Sequence, residues 1–163
     1  MGCVGDSPAV YFCPRDDCIG ELTEFLEGAE ESIHCAVYII TLEEVAEVLV
    51  ERERAGVDVK VVMEKRYSTS KWSQYAFLKE QGVGVRFGEG EGFGEEDGLD
   101  GGEWKGIMHN KFCVVDGKRV WTGSMNWSWS GVQKNWENVV VIRDDDVAER
   151  YEGEFLRLWL GKV

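Results

Sequence analysis

Residues 109–138, HNKFCVVDGKRVWTGSMNWSWSGVQKNWEN, hold two apolar runs of strand length that pivot on Asp116-Gly117. Asp-Gly is the dipeptide of a two-residue hairpin, because both turn positions call for positive φ. The spacing predicts antiparallel strands over 109–115 and 119–122, with a further apolar strand over 138–142. Side chains two apart on a strand share a face, about 6.6 Å from each other. His109 and Lys111 are therefore expected to point together, a nucleophile or base beside a fixed positive charge. Gly123-Ser124 permits close backbone approach and offers a hydroxyl, and Asn126 offers an amide N–H. Glu137 is placed to accept from the second ring nitrogen of His109 and so fix its tautomer. Lysine, hydroxyl and amide donors gathered near an imidazole suit a phosphoryl group in transfer.

Upstream, the apolar period alternates between strand and helix. A strand over 9–13 leads to a helix capped by Asp17 that runs to about Glu30, with Leu22, Phe25, Leu26 and Ala29 as its buried stripe. A β-branched run over 32–40 reads as a strand covered on both faces. Thr41 and Glu44 then make a capping box for a helix with stripe Val45, Val48 and Leu49, stopped by Gly56. Residues 57–63 form another strand. Ser70 caps a helix carrying Trp72, Tyr75, Ala76 and Leu78, ended by Gly82, and 83–87 is a strand. Near the end, Asp144 caps a closing helix with Val147, Tyr151, Phe155, Leu158 and Trp159 on one face. Such alternation implies an α/β fold with a largely parallel sheet and right-handed crossovers. Residues 88–106 break the pattern, with eight glycines, seven acidic residues and one lysine. They read as a loop insertion, either disordered or an active-site flap. No internal repeat is present, so the chemistry occurs once.

The 163 residues fit a single domain spanning 1–163, and 44% hydrophobic with 12% aromatic composition excludes the disordered class. No apolar run approaches the roughly 18–20 residues of a membrane span, and residues 1–8 lack the basic start and apolar stretch of a secretory signal. The reading is a soluble, cytoplasmic protein with membrane association disfavoured. A net charge of −13 argues against a broad basic face. It leaves a salt-rich medium, a non-nucleic substrate, or a local basic cleft drawn from Lys65, Arg66, Lys71, Lys105, Lys118, Arg119 and Lys134. Cys35 and Cys113 lie in apolar runs and read as reduced buried thiols. Cys13 and Cys18 read as a local disulfide or free thiols, since a zinc site needs further ligands that are not placed for it. No metal and no cofactor is expected. Trp127, Trp129 and Trp136 flank the motif; core or dimer packing outweighs base stacking for them.

The pattern H-x-K-x4-D-x6-G-S-x-N, followed by N-x-E-N, resembles the motif of the phospholipase D superfamily, the HKD motif. Some eight fixed positions agree within about 30 residues. The upstream half, with Ala36-Val-Tyr38 and Thr41 in the second strand, is similar to the small single-motif, Nuc-type endonucleases of that superfamily. The resemblance implies a phospholipase D-like fold, a mixed, mostly parallel sheet flanked by helices on both faces. It implies a metal-independent phosphodiesterase, a nuclease acting on DNA or RNA, that works as a homodimer with both motifs at one cleft. In that scheme His109 attacks phosphorus to give a phosphohistidine, and His109 of the partner subunit protonates the leaving oxygen. Lys111 and Asn126 hold the nonbridging oxygens with Ser124 and Asn135 in support, Glu137 orients the histidine, and Asp116 joins the catalytic set in a more structural role. The residues point to the dimer too. Two-step displacement needs a nucleophile and a separate acid, and the one other histidine, His34, stands at the wrong end of its strand. A phospholipid hydrolase and a silent nucleic-acid-binding module are the alternatives.

Overall fold

The computed structural model describes residues 7–88 and 106–161. Its elements run β1 (Ala9–Cys13), α1 (Cys18–Glu27), β2 (Ser32–Val37), α2 (Glu43–Arg54), β3 (Asp58–Glu64), α3 (Lys65–Ser68), α4 (Tyr75–Glu80), β4 (Gly84–Gly88), β5 (Lys111–Val115), β6 (Arg119–Gly123), α5 (Trp129–Gln133), β7 (Glu137–Arg143) and α6 (Asp145–Trp159). The strands form one seven-stranded sheet in the order β1-β7-β6-β5-β2-β3-β4. The sheet is mixed, as expected, but parallel pairing is confined to β2–β3 and β3–β4. β2–β5, β5–β6, β6–β7 and β7–β1 are antiparallel, so the expectation of a mostly parallel sheet is corrected. For β5–β6 the reason is connection length, because a tight turn joins only antiparallel neighbours, whereas the parallel pairs β2–β3 and β3–β4 are joined through helical crossovers.

Strand alternation sends successive side chains to two cores. Ile33, Cys35, Val37, Val61, Met63, Cys113, Val115 and Trp121 face α1, α2 and α4. Ala36, Val62, Phe112, Val114 and Val120 face α6, which packs on the opposite side through Ala148 and Phe155. Helices thus flank both faces. No helix among the described residues is long and apolar enough to cross a membrane.

Local chemistry explains where the elements depart from the sequence pattern. α1 is capped by Asp17, whose carboxylate accepts from Gly20 N at 3.1 Å, but it stops at Glu27 rather than Glu30. The backbone N–H groups of Glu30, Glu31 and Ser32 go instead to the carboxylate of Asp116. β2 ends at Val37, not residue 40, because Thr41 N and Leu42 N donate to Trp127 O. That pins the approach to α2, which starts after Leu42 with no side-chain cap, so the Thr41–Glu44 capping box does not form. The helix expected from Ser70 is shortened to α4, and a separate short helix, α3, precedes Ser70. Glu64 caps α3 directly from the end of β3, a turn follows, and Gln74 N donates to Ile40 O before α4 begins. Trp72 is left outside both helices and 69% exposed. Cys13 pairs with Cys18 as a disulfide. Cys35 and Cys113 are buried directly opposite each other on β2 and β5. Of the glycine- and acid-rich stretch, 89–105 lies outside the described residues, with the expected flap or insertion and Lys105 in it.

Candidate active site

One edge of the sheet collects the ends that matter. β2 and β6 finish there, at Val37 and Gly123, and β5 and β7 begin there, at Lys111 and Glu137. This is the carboxyl end of the parallel strands, where ligands gather in open α/β sheets. His109 lies two residues before β5, so it precedes the strand, and the shared-face expectation takes a different form. Lys111 is buried, and its Nζ donates to His109 O at 2.8 Å while standing 5.1 Å from the Tyr38 ring centroid. The His109 ring meets the same tyrosine edge-on, at 4.7 Å between centroids. Tyr38 thus joins the two, held in place by its N–H donating to Asn110 O and by Tyr67 against its ring. Burial and the Tyr67 hydroxyl push the Tyr38 phenol up to about 12, so it stays protonated. Tyr38, which the sequence marks as a second-strand residue of the family pattern without giving it a role, enters the site because it lies one residue beyond the Val37–Lys111 pair.

Burial, and then the charge of Lys111, hold the His109 imidazole below the ordinary histidine range. It is therefore neutral near pH 7 and ready to act as a nucleophile. Burial likewise lowers the Lys111 ammonium, with Glu137 opposing that shift.

The hairpin brings β6 back to this edge, and Gly123 is forced by contact, as a Cβ there would lie 2.1 Å from Asn138 O. Ser124 follows, donating from its hydroxyl to Glu137 Oε2 at 2.5 Å and accepting from Asn138 N at 3.1 Å. Glu137 Oε1 accepts from Asn135 Nδ2 at 3.1 Å. Ser124 and Asn135 thus both hold Glu137. Nor does Glu137 meet His109: no side chain among the described residues hydrogen-bonds to the imidazole of the same chain. Asn126 is brought close by α5, where Gly131 packs against its backbone so tightly that a Cβ would sit 2.3 Å from Asn126 O. The Asn126 Oδ1 is buried with no hydrogen-bond partner, a polar group waiting for one.

Asp116 is not part of this constellation. It sits at the far end of β5, five residues from Lys111, or about 17 Å along the strand. Its φ of 55° with 61° at Gly117 makes the predicted turn. Burial pushes its carboxyl up, but the N–H groups of Ser32, Glu31 and Glu30, with Arg119, outweigh that and hold it below the usual carboxylate range. Its place in the catalytic set is corrected to a structural one. His34 is also remote, buried against Phe155 with Nδ1 2.6 Å from Glu152 and Nε2 3.3 Å from Asp58. Of the flanking tryptophans, Trp127 is fully buried, whereas Trp129 and Trp136 are 57% and 95% exposed. No group of three His, Cys, Asp or Glu side chains gathers as a metal site among the described residues.

Residues 22–159 match the family described as cardiolipin synthase, PLD-like domain. The chain belongs to the phospholipase D-like family. A mitochondrial cardiolipin hydrolase of Xenopus laevis is 33% identical over 150 residues, 90% of this chain and 65% of that protein. The chain spans less than two thirds of the length of the curated relatives it matches. Among solved structures, Nuc from Salmonella typhimurium, a phospholipase D family member, superposes with a TM-score of 0.76 at 26% identity over 94% of this chain and 95% of that one. NucT from Helicobacter pylori shares the fold with a TM-score of 0.84 at 21% identity over 93% and 94% of the two chains. The relatives named as a cardiolipin hydrolase and as a phospholipase D are phosphodiester hydrolases, and the sheet end described here is where this chain carries the family motif.

Proposed function

We propose that this chain hydrolyses phosphodiesters of DNA or RNA by two-step displacement, in a cleft that a second copy of the chain completes. The observation that carries the reading is His109, a neutral imidazole with no side-chain hydrogen bond of its own, beside the buried ammonium of Lys111. A ring nitrogen of His109 attacks phosphorus; the P–N bond forms as the bond to the leaving oxygen breaks. The leaving oxygen takes a proton from His109 of the partner subunit, whose ring enters the complex as the imidazolium because the negative charge of the bound phosphate favours its protonated form. That second imidazole, now neutral, takes a proton from water, the hydroxide attacks phosphorus, and the P–N bond breaks to restore the first. Lys111 and Asn126 face the nonbridging oxygens, where negative charge grows. These groups handle every proton and charge, so no step calls on a divalent metal. The second histidine comes from a partner because His34, the only other one in the sequence, is committed to Glu152 and Asp58 on the opposite face.

The names of the relatives favour a second reading, a phospholipid such as cardiolipin as substrate. Both are tested together by incubating the protein with end-labelled single-stranded and double-stranded oligonucleotides and with cardiolipin vesicles. The polynucleotide reading expects oligonucleotide cleavage, a roughly thousandfold or greater loss in His109→Ala, and an acid-labile phosphate adduct on His109 after quenching. Turnover of vesicles alone would transfer the substrate to lipid, and full activity in His109→Ala would overturn the mechanism.

A further inference from the structure

Beside the catalytic edge runs a groove of about 770 Å³, and Tyr38 and Asn126 belong to both. Its outer walls are the indoles of Trp72 and Trp129, 69% and 57% exposed, from opposite sides of the fold's connections. Large exposed aromatic surface costs solvation and is seldom left bare without a partner. Each indole also has a lysine beside it. Lys71 Nζ lies 4.6 Å from the Trp72 ring centroid, and Lys134 Nζ lies 4.7 Å from that of Trp129. On a chain whose net charge is −13, Lys71 in the lining and Lys134 beside Trp129 set two cations against one lining carboxylate, Glu43.

We propose that this groove is a stacking subsite for bases of a single-stranded polynucleotide next to the scissile phosphate, with Trp72 and Trp129 as platforms and Lys71 and Lys134 on the neighbouring phosphates. The inference deepens the function proposed above and rests on it. Indole faces accept any base, because every base presents a π-face, and lysine follows the backbone whatever the sequence. A duplex keeps its bases stacked on each other and cannot offer them to the indoles, so the subsite selects single strands. An acyl chain fits less well, since Thr41, Ser70, Gln74, Asn126, Ser128 and Ser130 put polar groups in the lining. Asn126 connects subsite and chemistry, as it lines the groove and belongs to the motif, with its amide N–H as the group that can donate to a phosphate beside a stacked base.

The test compares kcat/KM on an oligothymidylate with that on an abasic strand of equal length, which keeps the phosphates and lacks the rings. Wild type is expected to prefer the base-bearing strand by about tenfold or more. Trp72→Ala and Trp129→Ala are each expected to pull that preference toward one, while Trp72→Phe and Trp129→Phe retain most of it. Because both indoles are exposed, the alanine variants cut no core, and circular dichroism with the phenylalanine pair separates stacking from folding. In His109→Ala, which cannot turn over, titration with oligothymidylate is expected to quench tryptophan fluorescence, with the quench lost in His109→Ala/Trp72→Ala/Trp129→Ala. Equal rates on the two strands for wild type, or an unchanged preference in both alanine variants, overturn the subsite while leaving the nuclease reading intact. Cleavage of cardiolipin vesicles and of neither strand overturns the polynucleotide reading itself.

Discussion

The charge of Lys111 reaches the imidazole of His109, so the titrations of the two groups are linked. Burial is the larger cause of the depressed imidazole and the ammonium the smaller. A pH titration of the ring by NMR is expected to give a midpoint below the ordinary value of about 6.5. In Lys111→Met the midpoint should rise part of the way back, since a neutral neighbour no longer opposes protonation; a fall would contradict the geometry. Asp116 is the second residue whose protonation has consequences. Its folded pKa is depressed, so its contribution to stability is full above the unfolded value of about 3.9 and is lost as pH falls through the folded one. Asp116→Asn weakens charged acceptance of the Glu30, Glu31 and Ser32 N–H groups and should cost about 2–3 kcal/mol in urea denaturation at pH 7. The difference between variant and wild type should shrink at pH 3, and a constant difference would mean that the charge is not what matters.

At the scale of elements, the register between β6 and β7 determines whether Ser124 can hold Glu137. Gly123 pairs with Val139 with no room for a methyl group, so Gly123→Ala must push the strands apart. The expected outcome is a loss of about 3 kcal/mol or more in stability and of activity in the fraction that remains folded. A variant that keeps wild-type stability and activity would show that the contact is soft. Much of this was legible in the sequence. The Asp-Gly turn, the Asp17 and Asp144 caps and the stripe Leu22, Phe25 and Leu26 stand where local chemistry put them. The departures all have partners far away in the chain. Thr41 fails as a cap because Trp127 O takes its N–H, and α4 starts late because Ile40 O holds Gln74. Within the site, the cluster of Lys111, Asn126, Ser124 and Glu137 at one edge follows from strand spacing and the hairpin. The partner of Glu137 was not legible, since a nearby hydroxyl and amide compete for the same carboxylate oxygens. The role of Tyr38 depends on the β2–β5 pairing, which periodicity does not reveal.

For the whole molecule, the question is how many chains make one site. If a cleft needs both histidines, a dimer with one His109→Ala subunit has either no nucleophile or no acid. Unfolding and refolding equal amounts of wild type and His109→Ala together should then leave about a quarter of the activity of undiluted wild type, because only wild-type pairs work. Retention of half would mean that each subunit acts by itself. The same molecule also has an order of assembly written into it. Asp116 binds backbone that precedes it by 84–86 residues, and β2 takes β5 as its second neighbour beside β3. During synthesis, then, the N-terminal half leaves the ribosome with β2 unpaired on one side and the end of its first helix untethered. The residues that secure that half are made in the same last third of the chain as the motif. A nascent chain cut short before the hairpin should therefore be open to protease along its whole length, and stability and catalysis should arrive together as translation passes the same few codons.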